Sequence, residues 1–247
     1  MYKKMEGPVH LPELFATLKL HVDGDVLLGT LVVPENPVGL VIMPQPGTGG
    51  HESPRANYVA RWIRAGGFAT LVCELVGPLG GRPGEGGDTT APRLATRLLE
   101  WVDLLAQRPT LAKLPIGLAT TGPSAAAAVI AAVRRPGAVR GIVSYAGRME
   151  LAWTQLSELD TATLMIVAEN DAPLMRSNRH ALGRIRRTRR LEVIRGAHHR
   201  FEEPGALTRI ASLTRSWLRR HVVSASEERP AALINLIPYI ANPQPSI

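Results

Sequence analysis

The chain has a single cysteine, Cys73, among 247 residues. One thiol excludes an internal disulfide and a zinc site built from several cysteines, and it is typical of a reducing compartment. No run approaches 18 uninterrupted apolar residues, which excludes a predicted membrane-spanning helix. Residues 1–8 hold no apolar signal core. We therefore expect a cytoplasmic globular protein that needs no disulfide or structural metal to be stable.

Aromatic residues are also scarce, at 4% of the chain, whereas the formal charge is +8. Much of the excess positive charge is concentrated in one segment, which carries Arg176, Arg179, Arg184, Arg186, Arg187, Arg189 and Arg190. A basic stripe can bind nucleic acid or acidic lipid. Stacking partners and a nucleic-acid-binding motif are both missing nearby. We interpret the Arg176–Arg190 segment as the solvated face of a helix and expect neither nucleic acid nor a membrane as partner.

Strand-like and helix-like segments alternate over about 200 residues, which predicts a mostly parallel central sheet with helices on both faces. Before them, residues 17–22 and 26–33 form a predicted antiparallel hairpin around Asp23-Gly24. Predicted strands then cover 38–43, 68–76, 116–120, 139–145, 164–168 and 191–194, and predicted helices 55–65, 94–105, 125–134, 173–187 and 204–221. The fold class is α/β. Residues 1–222 are predicted to form one domain, and 223–247 a tail that packs on it or on a partner.

The carboxyl ends of parallel strands are where ligands bind in such sheets. Asp171 follows the predicted strand 164–168 and precedes Pro173. A carboxylate there can orient a catalytic histidine. It can equally cap the helix that begins at Pro173, and the two roles are compatible. Glu169 is the spare candidate for the acid.

A histidine pair follows the last predicted strand in Gly196-Ala-His198-His199-Arg-Phe-Glu-Glu-Pro204. A histidine after a strand and a glycine turn suits a general base. A surface pair, or weak metal ligation with Glu202 or Glu203, is the alternative. We expect no metal and no cofactor, because no cluster supplies a third and fourth ligand.

Four stretches of the chain together resemble the dienelactone hydrolase-like branch of the α/β-hydrolase superfamily, over about residues 15–222. They are Gly47-Thr-Gly-Gly, Ser53-Pro-Arg through Tyr58-Val-Ala, Pro115-Ile-Gly, and Gly196-Ala-His-His-Arg-Phe-Glu-Glu-Pro-Gly205. The resemblance implies an α/β-hydrolase fold, with Asp171 as triad acid and His199, rather than His198, as base. It also implies an oxyanion loop at residues 45–50, although Pro46 stands where relatives usually carry histidine.

The nucleophile position departs from the family pattern. Relatives place serine or cysteine in Gly-x-Ser-x-Gly or Gly-x-Cys-x-Gly, where this chain reads Thr120-Thr121-Gly122-Pro123-Ser124. Alignment without gaps puts Gly122 at the elbow, where glycine meets the positive φ without strain. A two-residue shift would make Ser124 the nucleophile, at the cost of a longer strand and a shorter helix. Thr121 is a third elbow candidate, one residue off.

Two function classes remain open, and whether the chain is an enzyme is undecided. In the first, Ser124 attacks a small ester, lactone or thioester, with His199 and Asp171 completing the triad. Backbone N–H groups near Gly47, Thr48 and Ala125 would then stabilise the oxyanion. In the second, Gly122 occupies the elbow, and the chain uses His199–Asp171 as a non-covalent general base or only binds a small molecule. A homodimer is left open.

Overall fold

The computed structural model describes residues 13–47, 49–78 and 90–223. In this part of the chain, eight strands form one sheet in the order β1-β2-β4-β3-β5-β6-β7-β8. They are β1 (Glu13–Val22), β2 (Asp25–Pro34), β3 (Leu40–Gln45), β4 (Ala69–Glu74), β5 (Ile116–Gly122), β6 (Gly141–Gly147), β7 (Ala162–Ala168) and β8 (Arg189–Ile194). Strands β3 to β8 pair in parallel, whereas β2 is antiparallel to both β1 and β4. The predicted α/β fold class and its antiparallel hairpin are confirmed.

Within the described residues, five α-helices connect and cover the strands: α1 (Pro54–Arg64), α2 (Ala91–Ala106), α3 (Ser124–Arg134), α4 (Ala172–Arg184) and α5 (Ala206–His221). Short 3-10 turns lie at Gly50–Glu52, Met149–Ala152 and Gln155–Ser157. None of the helices within the described ranges has the length and apolar character that crossing a bilayer requires. Residues 224–247, nearly all of the predicted tail, lie outside the described residues.

The central strands are apolar on both faces, because each face supports its own layer of helices. In β3, Leu40 and Ile42 join the cluster that includes α2, α3 and part of α4. Val41 and Met43 join the opposite cluster, with α1 and α5. The first hairpin strand instead alternates, with Leu18 buried and Lys19 exposed. The carboxyl ends of β3 to β8 therefore meet at one edge, supported by packed helices on both sides.

The basic segment differs from its prediction as a single helix face. Helix α4 ends at Arg184, and Ile185 turns to an extended conformation with its side chain 1% exposed. The reason is that burying Ile185 carries the chain back to the sheet. Arg186 and Arg187 then lie in a connection, and Arg189 and Arg190 begin the edge strand β8. All seven arginines are exposed, so their side chains are solvated.

Candidate functional site

His199 and Asp171 meet at the carboxyl edge of the sheet. The His199 Nδ1 lies 2.7 Å from Asp171 Oδ2, and the other carboxylate oxygen of Asp171 accepts the Leu174 N–H at 3.2 Å. Asp171 therefore caps α4 and binds the imidazole at once. Its side chain is 15% exposed, while that of His199 is 67% exposed. A carboxylate at Nδ1 favours the tautomer that leaves Nε2 free to accept a proton.

Glu169 and His198, the alternative candidates for the acid and the base, both make other contacts that hold the histidine loop. Glu169 Oε2 accepts the Gly196 N–H at 2.7 Å, so Glu169 anchors the loop. His198 Nδ1 lies 2.6 Å from Glu203 Oε1, and this hydrogen bond lowers the pKa of the Glu203 carboxyl. The structure thus brings His199, and not His198, to Asp171.

The turn between β5 and α3 places Gly122 at the strand end. Gly122 has φ +51°, in the left-handed region that an elbow residue needs. A Cβ built on Gly122 meets no heavy atom within 4 Å, so its position faces open space. The ladder between β5 and β6 shifts its register between Thr121 and Gly122. The helix begins at Ser124 immediately after Pro123.

Ser124 is fully buried in the first turn of α3. Its Oγ donates to the Thr121 carbonyl at 2.7 Å and accepts the Thr121 N–H at 3.2 Å. Within the described ranges, Thr121 is the only hydrogen-bond partner of this hydroxyl. A nucleophile presents its oxygen to the base at about 2.6–3.2 Å. Strand β5 ends at Gly122, two residues beyond its predicted end at 120, and α3 begins at Ser124 itself.

Two of the expected oxyanion donors lie within the described residues, and Thr48 lies outside them. Gly47 is exposed in the loop after β3, whereas Ala125 is fully buried in α3. In α/β-hydrolases one donor is the backbone N–H of the residue after the nucleophile. Here that residue is Pro123, counted from Gly122, and proline has no N–H. An elbow at Gly122 therefore lacks both the attacking side chain and its neighbouring donor.

Sequence reasoning missed a second histidine–carboxylate pair near this edge. His51 Nδ1 lies 2.9 Å from Glu74 Oε1, and both side chains are buried. The same carboxylate accepts the N–H groups of Gly49 and Leu28. Glu74 thus joins the end of β4 to the loop after β3 and to the hairpin. The position of Glu74 at the end of a buried strand was the available signal.

Arg55 and Tyr145 add two polar groups beside the histidine loop and the elbow. The Arg55 guanidinium donates to the carbonyl of Arg200, the residue after His199. Tyr145 lies on β6 in register with Thr121, the residue before Gly122. Burial raises the pKa of Tyr145 to about 12, and the charge of Arg55 acts in the opposite direction. Within the described ranges, no group of three or more potential ligands could hold a metal.

The comparisons with known proteins include a relative of similar length. A dienelactone hydrolase from Anabaena variabilis is 31% identical, with a TM-score of 0.77 over 85% of this chain and 99% of that one. Est1E from Butyrivibrio proteoclasticus has a TM-score of 0.69 at 14% identity, over 85% of this chain and 100% of that one. This second likeness shows the fold alone.

Two Mycobacterium tuberculosis proteins, provisionally named phosphoribosyl transferases, are 36% identical over 194 residues. The match covers 78% of this chain but 44% of those proteins, so the chain spans less than half of their length. No family model matches the chain. The likeness to the Anabaena enzyme covers nearly the whole of that enzyme and includes the fold that bears the His199–Asp171 pair. The chain belongs to the dienelactone hydrolase-like branch of the α/β-hydrolase superfamily.

Proposed function

We propose that the chain acts on a small molecule by general-base catalysis with His199 and Asp171, without a covalent acyl-enzyme. The observation that carries the proposal is Gly122, an elbow residue with open space where a nucleophile's side chain would lie. The 2.7 Å contact between His199 and Asp171 is present at the same edge of the sheet. The proposal thus rests on a histidine–aspartate pair that is in contact and on an elbow position, 122, that has no side chain able to attack.

The chemistry that fits is attack by water on a small ester or lactone. Asp171 orients the imidazole and stabilises its charged form. His199 Nε2 takes a proton from water, and the water oxygen attacks the carbonyl carbon. The proton on His199 then passes to the leaving oxygen. Positioned base catalysis of this kind contributes about 10²–10⁴ in rate. The space at Gly122 gives the water or the ligand room that a serine side chain would occupy.

Two features of the turn count against the alternative, in which Ser124 attacks. The Ser124 hydroxyl is buried and engaged by Thr121 at both its donor and its acceptor sides. Ala125, the expected donor in that alternative, is itself fully buried. Attack by Ser124 would first require its hydroxyl to leave both hydrogen bonds with Thr121.

Turnover of p-nitrophenyl acetate and of a panel of small lactones tests the proposal. We expect His199→Ala to lose at least about 100-fold in kcat/KM and Ser124→Ala to keep turnover per folded molecule. His198→Ala is the matched control, because it removes the adjacent imidazole and leaves the Asp171 contact in place. Equal rates for wild type and His199→Ala would contradict catalysis and leave a binding protein.

We do not extend phosphoribosyl transfer to this chain. The name belongs to proteins of which more than half lies outside the matched stretch.

A further inference from the structure

Water attack on a carbonyl places negative charge on the carbonyl oxygen, and that charge needs a hydrogen-bond donor. Removing one such donor in other enzymes costs about 10²–10³ in kcat. Because Pro123 follows Gly122, the usual backbone donor is missing here. In addition, the Gly49 N–H in the loop after β3 is committed to Glu74. A side-chain donor can take the place of these two backbone N–H groups.

Tyr145 lies on the strand next to the elbow, and its hydroxyl is available to donate a hydrogen bond. Tyr145 is 8% exposed and lies on the strand beside β5, opposite Thr121 at the elbow. Buried tyrosine hydroxyls usually have a partner. Tyr58, with 7% exposure, follows this rule and bonds to Thr208 at 2.8 Å. Among the residues that the structure describes, the Tyr145 hydroxyl has no hydrogen-bond partner.

Arg55 makes the surroundings of Tyr145 favourable for an oxyanion. Its guanidinium is fixed on the Arg200 carbonyl, next to His199, and its positive charge acts on Tyr145. The pKa of Tyr145, about 12, keeps the phenol protonated at neutral pH, so it can donate. The carboxylate of Asp171 is paired with His199.

We propose that the Tyr145 hydroxyl donates a hydrogen bond to the carbonyl oxygen of a substrate bound in the open space at Gly122. This inference rests on the proposed function. As His199 takes the water proton, the new C–O bond forms and the carbonyl π pair moves onto oxygen. Tyr145 stabilises that oxygen without giving up its proton. The carbonyl then re-forms, the leaving group departs, and the proton held by His199 passes to it.

The test is Tyr145→Phe, assayed on p-nitrophenyl acetate. We expect kcat to fall about 100-fold, with little change in KM, because the bond strengthens in the transition state. The substitution removes an unpartnered hydroxyl, so the melting temperature should not fall. Tyr58→Phe is the matched control, since it removes a buried hydroxyl on α1 that bonds to α5. In the double variant with His199→Ala, removing the Tyr145 hydroxyl should cost far less.

Three outcomes separate this inference from the proposed function. If Tyr145→Phe keeps wild-type kcat while His199→Ala loses it, the role of Tyr145 is overturned and the base stands. If Tyr58→Phe loses as much as Tyr145→Phe, the effect is one of packing, which also overturns it. If His199→Ala matches wild type, the proposed function fails, and the Tyr145 inference fails with it.

Discussion

Replacing Ser124 with alanine separates a structural hydroxyl from a catalytic one. The side chain is fully buried, and its oxygen bonds the Thr121 carbonyl at 2.7 Å and the Thr121 N–H at 3.2 Å. Removing a buried partner costs about 1–3 kcal/mol of folding free energy. A chain of this size loses about 2–4 °C in Tm for each kcal/mol. We therefore expect Ser124→Ala to melt about 2–12 °C lower and to keep its turnover per folded molecule.

Urea unfolding followed by circular dichroism measures the change in the free energy of unfolding. Turnover is measured about 15–20 °C below the wild-type Tm, so that a variant that melts about 2–12 °C lower is still folded in the assay. Ser144→Ala is the matched control, because the Ser144 Oγ is buried and has no hydrogen-bond partner among the described residues. Losing an unsatisfied hydroxyl is close to neutral for stability. A Ser124→Ala variant with wild-type stability and no turnover would refute the structural role and make Ser124 the nucleophile.

Three further predictions concern single side chains. Asp171→Asn should keep the α4 cap, since asparagine caps as well as aspartate, but should lose at least about 10-fold in kcat through its altered contact with His199; a melting scan beside the kinetics checks both. Glu74→Gln should lower the free energy of unfolding, measured in urea, by about 1–3 kcal/mol. The Glu74 carboxylate accepts hydrogen bonds from Leu28, Gly49 and His51, whereas a glutamine amide has only one accepting oxygen. Burial and Arg220 lower the pKa of His221 below its usual value of about 6.5. The unfolded chain therefore binds this proton first, and stability falls as pH drops through that value. His221→Phe should flatten unfolding free energy between pH 5 and 8, and an unchanged slope would contradict this.

Much of the architecture follows from local patterns in the sequence. Continuous apolar runs such as 38–43 are typical of strands buried on both faces, and Asp23-Gly24 is typical of a hairpin turn. Asp171 and His199 were also predictable, because each follows a strand and the carboxyl ends of parallel strands converge. The 2.7 Å contact agrees with that expectation.

The remaining features depend on contacts between distant residues or on one backbone angle. The pairing of His51 with Glu74 joins positions 23 residues apart, and no motif marks it. The choice between Gly122 and Ser124 depends on where β5 ends. Two alignments that differ by two residues predict different ends for this strand. The end of α4 is set by burial of Ile185, which periodicity alone does not reveal. The missing N–H of Pro123 was readable from the sequence once the elbow was placed.

The most direct test of an elbow at Gly122 is reaction with a fluorophosphonate, with the adduct mapped by mass spectrometry. We predict no adduct on wild type, Ser124 included, while His199-dependent turnover continues. Gly122→Ser should acquire an adduct at position 122, because the position faces open space and already has φ +51°. An adduct on Ser124 of the wild-type protein, absent from Ser124→Ala together with turnover, would contradict the account.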